Sequence, residues 1–373
     1  MKLKSVIMFL LAQVLAKDYS GYKVYRLFNH YESAGLEVWE RSHGWMDILL
    51  APGQQLPMGV DHKLLLPDVQ DMIDQGNDHR SRHSDLLIQN GIVPNASQIF
   101  KDYYDYDTLV SFFESLPFTS KEVIGSTYLG RDIYAFNFGT GKRRIVIQGG
   151  IHAREWIAPA VVTWIAYWLN SQDSPAGLLE NFSWSIIPVV NVDGYDYTRS
   201  TDRLWRKNRQ PNYGSSCVGV DPNRNFGFEW GTGGASSNPC AQDFKGYNPF
   251  DAPCTAAISK YVSSFPKGEV LAFFDFHSYS QLWMYPYGYS CGLKIPEYDI
   301  VDKASKIAIS AIENFIGTQY REGSICNTIY KATGSSTDHI YAMGVPFSFG
   351  IELPDRGQYG FLLRKFLFLN NSS

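Results

Sequence analysis

The sequence predicts an α/β domain, with a mixed central β-sheet flanked by helices, that follows a smaller α+β unit. Beyond about Asn95, short continuous apolar runs alternate with helical patterns, which is typical of a buried sheet covered by helices. From Tyr19 to about Ile92, short strand-like and helix-like segments indicate a separate unit. The chain has 373 residues, of which 45% are hydrophobic, so it is long enough to bury a core in each unit.

The smaller unit is predicted to contain three strands and two helices, followed by a linker. The polar segment 76–83 carries Arg80 and Arg82, and this composition is typical of an exposed linker open to proteolysis, or of an ordinary surface loop. The predicted strands are Tyr22–Phe28, Met46–Leu50 and His62–Leu66, and the predicted helices are Ala34–Arg41 and Asp68–Gln75.

The larger unit contains three clear core strands and three clear helices. We find no internal repeat and no low-complexity tract, so the chemistry has to lie in local groups of residues. The strands are Arg144–Gln148, Trp184–Val190 and Val270–Phe276, and the helices are Trp156–Asn170, Cys254–Ser264 and Ile300–Ile316.

The N-terminus has the pattern of a secretory signal. Lys2 and Lys4 precede the apolar stretch Val6–Leu15, and Ala16 fits the small residue of a cleavage site before Lys17. This stretch is too short to span a bilayer, and no later segment reaches the ~20 apolar residues that a transmembrane helix needs. We therefore expect residues 1–16 to be removed and the rest of the chain to be secreted, with no membrane partner.

Charge and cysteine content narrow the partners and the compartment. The net charge is −4 and there is no dense basic run, so the electrostatic pattern of a nucleic-acid binder is absent. Secretion makes the five cysteines candidates for disulfides rather than for a thiolate metal site. Four glycosylation sequons fit the same compartment, at Asn95, Asn181, Asn370 and Asn371.

Two histidines of the larger unit directly follow predicted core strands. His152 and Glu155 form a His-x-x-Glu element, and His277 follows Val270–Phe276. The carboxyl ends of strands are where an α/β sheet presents its catalytic groups. A hydrolytic zinc ion takes three nitrogen or oxygen ligands and keeps one open position, and these residues supply such a set. The short motif alone also fits a surface histidine beside a solvated glutamate.

Five longer motifs extend this pattern, in the order His152–Trp156, Asn191–Tyr195, Asp202–Arg209, Asp221–Phe226 and His277–Gln281. Together, from about Tyr103 to Leu363, they resemble the digestive-type zinc metallocarboxypeptidases of the A/B subfamily. The resemblance implies one Zn²⁺ per chain, held by His152, Glu155 and His277. It also implies an exopeptidase that removes the C-terminal residue of a peptide or protein.

The same resemblance implies how the chain is divided. Residues 98–373 match the zinc carboxypeptidase domain, and residues 17–97 match an inhibitory, ferredoxin-like prosegment with its activation linker. This division predicts a zymogen that needs an activating protease, and we expect a monomer. The family continues through a further helix after Leu363, whereas this chain has only the ten residues Arg364–Ser373. We therefore expect that helix to be truncated and the apolar surface beneath it to be uncovered.

Substrate contacts are also assigned by the resemblance. Planar guanidinium groups suit a free α-carboxylate, and Arg224, with Asn223 and Tyr330, matches the family's terminal-carboxylate clamp. Arg206 matches the cation that stabilises the developing oxyanion. Further substrate-binding positions are matched by Arg154, Arg203, Ser278 and Tyr279.

Two acidic residues complete the predicted catalytic group. Glu352 aligns with the family's catalytic glutamate, and an acid within so apolar a segment would need a partner in any case. Asp221 matches the residue that orients the first metal-binding histidine. His339 matches no functional position, so we expect it to be structural.

One pocket position sets the class of terminal residue in this family, and here it is Thr337, which is neutral. We therefore predict a preference for hydrophobic or aromatic C-terminal residues. Gly350 stands where the family usually has a larger side chain, which favours Trp, Tyr or Phe over Leu. The remaining pocket positions are Met284, Gly288, Ile325, Ile329 and Ala332. The resemblance also pairs Cys217 with Cys240 and Cys291 with Cys326, and leaves Cys254 free.

Two other functions fit parts of the sequence. Three segments, 208–210, 237–240 and 287–291, are similar to a fungal group of inactive metallocarboxypeptidase-like proteins, which would make the chain a zinc- or peptide-binding protein. That group lacks the base and the clamp, however, whereas Asn223, Arg224 and Glu352 are present here. A zinc amidohydrolase would share the metal ligands but would not need the clamp, so cleavage of a C-terminally amidated peptide distinguishes it.

Overall fold

A four-stranded antiparallel sheet forms the N-terminal unit. The computed structural model of the chain describes residues 16–29, 35–78 and 92–364. The strands lie in the order β2-β3-β1-β4, and helix α1 follows them. Their bounds are β1 Lys23–Phe28, β2 Glu37–Ser42, β3 Trp45–Leu50, β4 His62–Leu66 and α1 Val69–Asp78.

The predicted helix Ala34–Arg41 is wrong, because Glu37–Ser42 is strand β2. This segment pairs antiparallel with β3, and its register shifts between Val38 and Glu40. The bulge leaves two consecutive side chains, Trp39 and Glu40, both buried. Burial and strand pairing therefore override the helical propensity of the segment. The other predicted elements of the unit are confirmed, with ends that differ by at most three residues.

An eight-stranded mixed sheet forms the core of the larger unit, in the order β11-β10-β12-β9-β7-β8-β6-β5. Its four central strands, β12, β9, β7 and β8, are parallel. Antiparallel pairs follow on both sides, β10–β12, β8–β6 and β6–β5, and the edge strand β11 pairs parallel with β10. The strands are β5 Ser120–Ser126, β6 Asp132–Phe138, β7 Arg143–Gly149, β8 Phe182–Ile187, β9 Val270–Ser278, β10 Leu282–Tyr285, β11 Arg321–Ser324 and β12 Phe347–Leu353. The predicted mixed α/β fold is confirmed.

Helices cover this sheet, and the three predicted ones are confirmed. In chain order the helices after α1 are α2 Ala96–Ile99, α3 Tyr106–Glu114, α4 Ile157–Leu169, α5 Leu178–Asn181, α6 Val192–Ser200, α7 Pro253–Ser263, α8 Tyr298–Ile316, α9 Ile325–Thr328 and α10 Ser336–Ala342. Short 3₁₀ turns lie at Pro222–Arg224 and Gly360–Leu362. Within the described ranges, none of the helices has the length and apolar character needed to cross a bilayer.

Several predictions concern residues that the structure does not describe. They are the signal at 1–16 apart from its last residue, the linker after residue 78, the segment 365–373 and the sequons at Asn370 and Asn371. The disulfide predictions do fall within the described residues and are confirmed. Cys217 is bonded to Cys240 and Cys291 to Cys326, while Cys254 is free and buried.

Candidate active site

One loop and one strand end bring three donor groups together at the carboxyl edge of the sheet. His152 and Glu155 follow β7, and His277 lies near the end of the neighbouring parallel strand β9. His152 Nδ1 lies 2.8 Å from Glu155 Oε1, His277 Nδ1 lies 3.1 Å from Glu155 Oε2, and the two Nδ1 atoms are 3.2 Å apart. All three residues are buried.

The chemistry of this group fits a zinc ion. Its ligand atoms lie within 4.8 Å of one another, and in the described part of the chain it is the one such group found. Two imidazoles and a carboxylate are the ligands that hydrolytic zinc sites use. His152 Nε2, on the far side of its ring, lies 3.1 Å from Asp221 Oδ1, so Nδ1 is left with its lone pair facing inward.

Asp221 connects the first histidine with a cation. Arg206 donates from Nη2 to Asp221 Oδ2 at 2.9 Å, and its Nη1 lies 3.8 Å from Glu155 Oε1. Burial alone would raise the pKa of Asp221, but the charges of Arg206 and His152 hold that pKa well below its usual range. The predicted orienting role of Asp221 therefore has matching geometry, and Arg206 lies beside the metal ligands.

Glu352 lies on β12, directly opposite His277 in the register of the two parallel strands. Burial raises the pKa of Glu352 to about 8, with a smaller rise from the charge of Glu155 that His277 opposes. Its Oε2 atom is buried and has no hydrogen-bond partner among the described residues. Burying a carboxylate without a hydrogen-bond partner costs folding free energy, so packing alone does not explain its position. A raised pKa makes the carboxylate a stronger base, which suits it to accept a proton from a ligand.

The predicted clamp residues are in contact. Arg224 donates from Nη2 to the Tyr330 hydroxyl at 3.0 Å and from Nη1 to the carbonyl oxygen of Asn223 at 2.7 Å. Arg224 is only 5% exposed, and its Nε has no partner among the described residues. The Asn223 side chain lies 3.2 Å from His277, measured from Nδ2 to Nε2. The predicted carboxylate clamp and the metal-ligand group are therefore adjacent.

The N-terminal unit contacts two residues that are predicted to bind substrate. Arg154 forms an ion pair with Glu37 of β2, at 3.0 Å, and the Tyr279 hydroxyl donates to Asp47 of β3 at 2.8 Å. Glu40 of β2 is also buried, and burial together with the charge of Glu352 holds the pKa of Glu40 well above its usual range.

Two other predicted substrate residues make different contacts. Arg203 donates to the backbone oxygens of Arg154 and Phe361, at 2.9 and 2.6 Å, so both of these guanidinium nitrogens bind protein. Ser278 Oγ is buried and has no partner among the described residues.

An apolar cluster lies next to the predicted clamp. It consists of the buried residues Leu282, Met284, Ile325, Ile329 and Ala332, and Tyr330 packs against it. Thr337 is 2% exposed, and a methyl group added to Gly350 would lie 3.2 Å from Thr337 Oγ1. Asp338 is the nearby acid, but its two carboxylate oxygens accept backbone N–H groups of Gly288 and Tyr289.

Sequence reasoning missed several residues of the site. Asp275 contacts His277, and Ser336 contacts Asp275. The signal for Asp275 was present, because side chains two apart in a strand lie on one face. Ser336 and the N-terminal residues Glu37, Glu40 and Asp47 reach the site only through tertiary packing. His339, expected to be structural, lies away from the metal ligands, 2.9 Å from Ser259 Oγ of α7.

Comparisons with known proteins agree with this geometry. Residues 110–369 match the family Peptidase_M14, described as zinc carboxypeptidase. Carboxypeptidase A2 of Mus musculus is 38% identical over 315 residues, covering 82% of this chain and 74% of that protein. The metallocarboxypeptidase A-like protein of Trichophyton verrucosum (strain HKI 0517) is 33% identical over 377 residues, which cover 93% of this chain and 89% of that protein.

A solved structure extends the likeness to the N-terminal unit. Thrombin activatable fibrinolysis inhibitor superposes with a TM-score of 0.80 at 28% identity, covering 93% of this chain and 94% of that one. The fold, the metal-ligand group and the family match therefore all indicate a zinc carboxypeptidase. The chain belongs to the Peptidase_M14 zinc carboxypeptidases and is a zinc metallocarboxypeptidase of the A/B type.

Proposed function

We propose that this protein is secreted as a zymogen and, once processed, removes hydrophobic or aromatic residues from the C-termini of peptides and proteins. The observation that carries the proposal is a buried apolar cluster against which Tyr330 packs, with the Tyr330 hydroxyl accepting from Arg224. We assign the cluster as the wall of the side-chain pocket and the arginine–tyrosine pair as the clamp. The clamp suits the terminal carboxylate, and the pocket suits the side chain of the residue that carries it.

The neutral character of the pocket supports the hydrophobic preference. Thr337 carries no charge. The carboxylate oxygens of Asp338 accept hydrogen bonds from backbone N–H groups, so they are not directed at a ligand. A Lys or Arg side chain would therefore be desolvated there without a dedicated partner. Gly350 leaves the pocket deeper than any other residue would, which favours Trp, Tyr or Phe over Leu.

Different side chains around the pocket bind the substrate, stabilise the developing charge and transfer the proton. Arg224 and the Tyr330 hydroxyl hold the terminal carboxylate, and Arg206 stabilises negative charge that develops on the scissile carbonyl oxygen. Glu352 takes a proton from the attacking water and passes it to the leaving amine nitrogen. A zinc ion held by His152, Glu155 and His277 would polarise the carbonyl and make that water more acidic.

Contacts of the N-terminal unit support the zymogen. Glu37 and Asp47 bind Arg154 and Tyr279, two residues expected to hold substrate. We propose that residues 17–97 are the inhibitory prosegment and linker, that an endoprotease cuts this linker, and that residues 98–373 act as a monomer. The two disulfides support secretion, because disulfides persist in oxidising compartments.

The test uses the chain without residues 1–16, cut with trypsin, and peptides that end in Phe, Trp, Leu, Arg or Glu. We expect release of Phe, Trp and Leu that stops when a zinc chelator is added. A peptide with an amidated C-terminus should stay intact, because the amide cannot be bound as a carboxylate. Release of Arg or Glu would contradict the pocket assignment. No release by folded, zinc-loaded protein would instead favour an inactive binding protein.

A further inference from the structure

Asp275 is a fully buried carboxylate, two residues before the metal ligand His277 on β9, and the reaction described above does not use it. Its Oδ2 lies 3.0 Å from His277 Nε2. The Ser336 hydroxyl, at the start of α10, donates to the same oxygen. The carboxylate therefore binds the nitrogen of His277 that faces away from the metal ligands.

This contact selects the tautomer of His277. A carboxylate oxygen without a hydrogen can only accept a hydrogen bond, so Nε2 of His277 supplies the hydrogen of this contact. Nδ1 then keeps its lone pair, and Nδ1 is the atom that faces Glu155 and His152. The same arrangement holds on the other histidine, where Asp221 binds His152 Nε2. Each imidazole ligand thus has its own carboxylate.

A purely structural role for Asp275 fits less well. The first turn of α10 is already capped by Ser335, whose side chain accepts from the Asp338 N–H. The hydrogen bonds found for Asp275 come from a histidine ring and a hydroxyl, and its Oδ1 has no partner among the described residues. A buried carboxylate with one oxygen unpaired is costly, and a cation held next to His277 would offset that cost.

Ser336 extends the contact to the substrate side of the site. Its backbone N–H donates to Asn223 Oδ1 at 2.9 Å, while its hydroxyl donates to Asp275. Asn223 is a clamp residue, and Thr337 of the pocket follows Ser336 directly. One serine therefore joins the carboxylate behind His277 to the residues expected to bind the terminal residue.

We propose that Asp275 is a positioning residue that fixes the tautomer and orientation of the zinc ligand His277, and that Ser336 couples this carboxylate to the carboxylate clamp. The proposal rests on the zinc site of the proposed function and adds a second carboxylate to it. It needs no contact between Asp275 and substrate.

The first experiment measures zinc affinity of the full chain by competition with a chelator, so that it does not depend on activity. Asp275→Ala should lower zinc affinity by about 10- to 100-fold, and Asp275→Asn by less, because the amide oxygen can still accept from Nε2. Asp221→Asn should lower zinc affinity by an amount similar to that of Asp275→Asn. Asp193→Asn is the matched control, because Asp193 is a buried carboxylate that binds Thr127 and the Leu129 N–H instead. Its zinc affinity should stay at the wild-type value.

The outcomes separate the two proposals. Wild-type zinc affinity in folded Asp275→Ala would overturn the positioning role, whether or not the enzyme cleaves peptides. Zinc binding that depends on Asp275, in a protein that releases no residue from any peptide, would overturn the proposed function alone. The visible spectrum of the Co²⁺-substituted protein should also change in Asp275→Ala, and an unchanged spectrum would count against the proposal.

Ser336→Ala keeps the test decisive if Asp275→Ala does not fold. This variant retains the carboxylate and removes one of its donors, so zinc affinity should fall by about fivefold, as expected for one hydrogen bond. The coupling to Asn223 should also raise KM for peptides, which a purely local effect on the metal would not do. Unchanged zinc affinity in folded Ser336→Ala would overturn the proposal.

Discussion

At the scale of single residues, the site depends on polar atoms that are buried without a protein partner. Glu352 Oε2 and Arg224 Nε are two of these atoms, and both belong to side chains that sequence reasoning assigned to catalysis or to the clamp. Burying such atoms costs stability, so their presence beside the pocket indicates that a ligand completes their hydrogen bonds.

Glu352→Gln tests the proton transfer. The amide has nearly the same shape but cannot accept and return a proton, so kcat should fall by about 10²- to 10⁴-fold with KM and zinc content close to wild type. Steady-state kinetics and metal analysis measure these quantities. Glu180→Gln is the control, because Glu180 is exposed and lies in α5. A kcat within a few-fold of wild type would exclude Glu352 as the base.

Gly350→Ala tests the depth of the pocket. The added methyl group would lie 3.2 Å from Thr337 Oγ1, so the pocket should become shallower. We expect the ratio of kcat/KM for Trp-ending over Leu-ending peptides to fall by about tenfold, the effect of roughly one methylene in a hydrophobic pocket. Gly292→Ala is the control, since a methyl group there meets open space. An unchanged ratio would mean that Gly350 does not line the pocket.

At the scale of secondary-structure elements, the packing of α10 against α7 involves a half-buried histidine, His339. His339 Nε2 lies 2.9 Å from Ser259 Oγ, and the ring packs beside Phe226 and Phe250. Burial lowers the pKa of His339 to about 4. This element should therefore be sensitive to acid.

The direction of the effect follows from the proton balance. Below pH ~6.5 the unfolded chain protonates this histidine, whereas the folded chain does not until the pH approaches 4, so acid favours unfolding. Between those two pH values the free energy of unfolding should fall by up to about 3 kcal/mol through His339 alone. Denaturant titrations of wild type and His339→Gln measure this, and the difference in stability between them should shift with pH by that amount.

A control variant and one contrary outcome test whether His339 causes this pH dependence. His43→Gln replaces an exposed histidine in the β2–β3 turn and should show no such difference from wild type. A constant difference between wild type and His339→Gln across this pH range would contradict the assignment to His339.

At the scale of the whole molecule, the two units share a hydrophobic cluster next to the catalytic cleft. Trp39 of β2 packs against Phe361, with ring centroids 5.2 Å apart, and Tyr279 and Leu204 join the same cluster. The bulge in β2 that buries Trp39 also buries the neighbouring Glu40. The contact between the two units therefore depends on a few residues of β2 and on their partners in the larger unit.

Trp39→Ala should therefore make the uncut chain active. Loss of a buried tryptophan costs about 3–5 kcal/mol, which weakens docking and increases the fraction of open molecules. We expect peptide release by the uncut chain to rise at least about tenfold, toward the trypsin-cut level. Met58→Ala, at a fully exposed position of the same unit, should leave it unchanged. Equal, low activity of both uncut variants would show that Trp39 does not hold the cleft closed.

The sequence by itself determined the metal ligands, the order of the motifs, the main core strands and the three long helices. The strands and helices follow from local periodicity, and the metal ligands follow from five motifs that occur in one order, since the short His-x-x-Glu motif alone has a second interpretation. The ligands His152, Glu155 and His277 lie where strand ends predict them, and their donor atoms meet.

Only the tertiary structure decided the contacts between distant segments. Glu37–Ser42 became a strand because β3 and the catalytic unit bury it, which outweighs its local helical preference. Ser336 reaches Asp275 across 61 positions of the sequence, and Glu37 reaches Arg154 across 117. Such contacts depend on how the chain closes on itself, and no local pattern of residues records them.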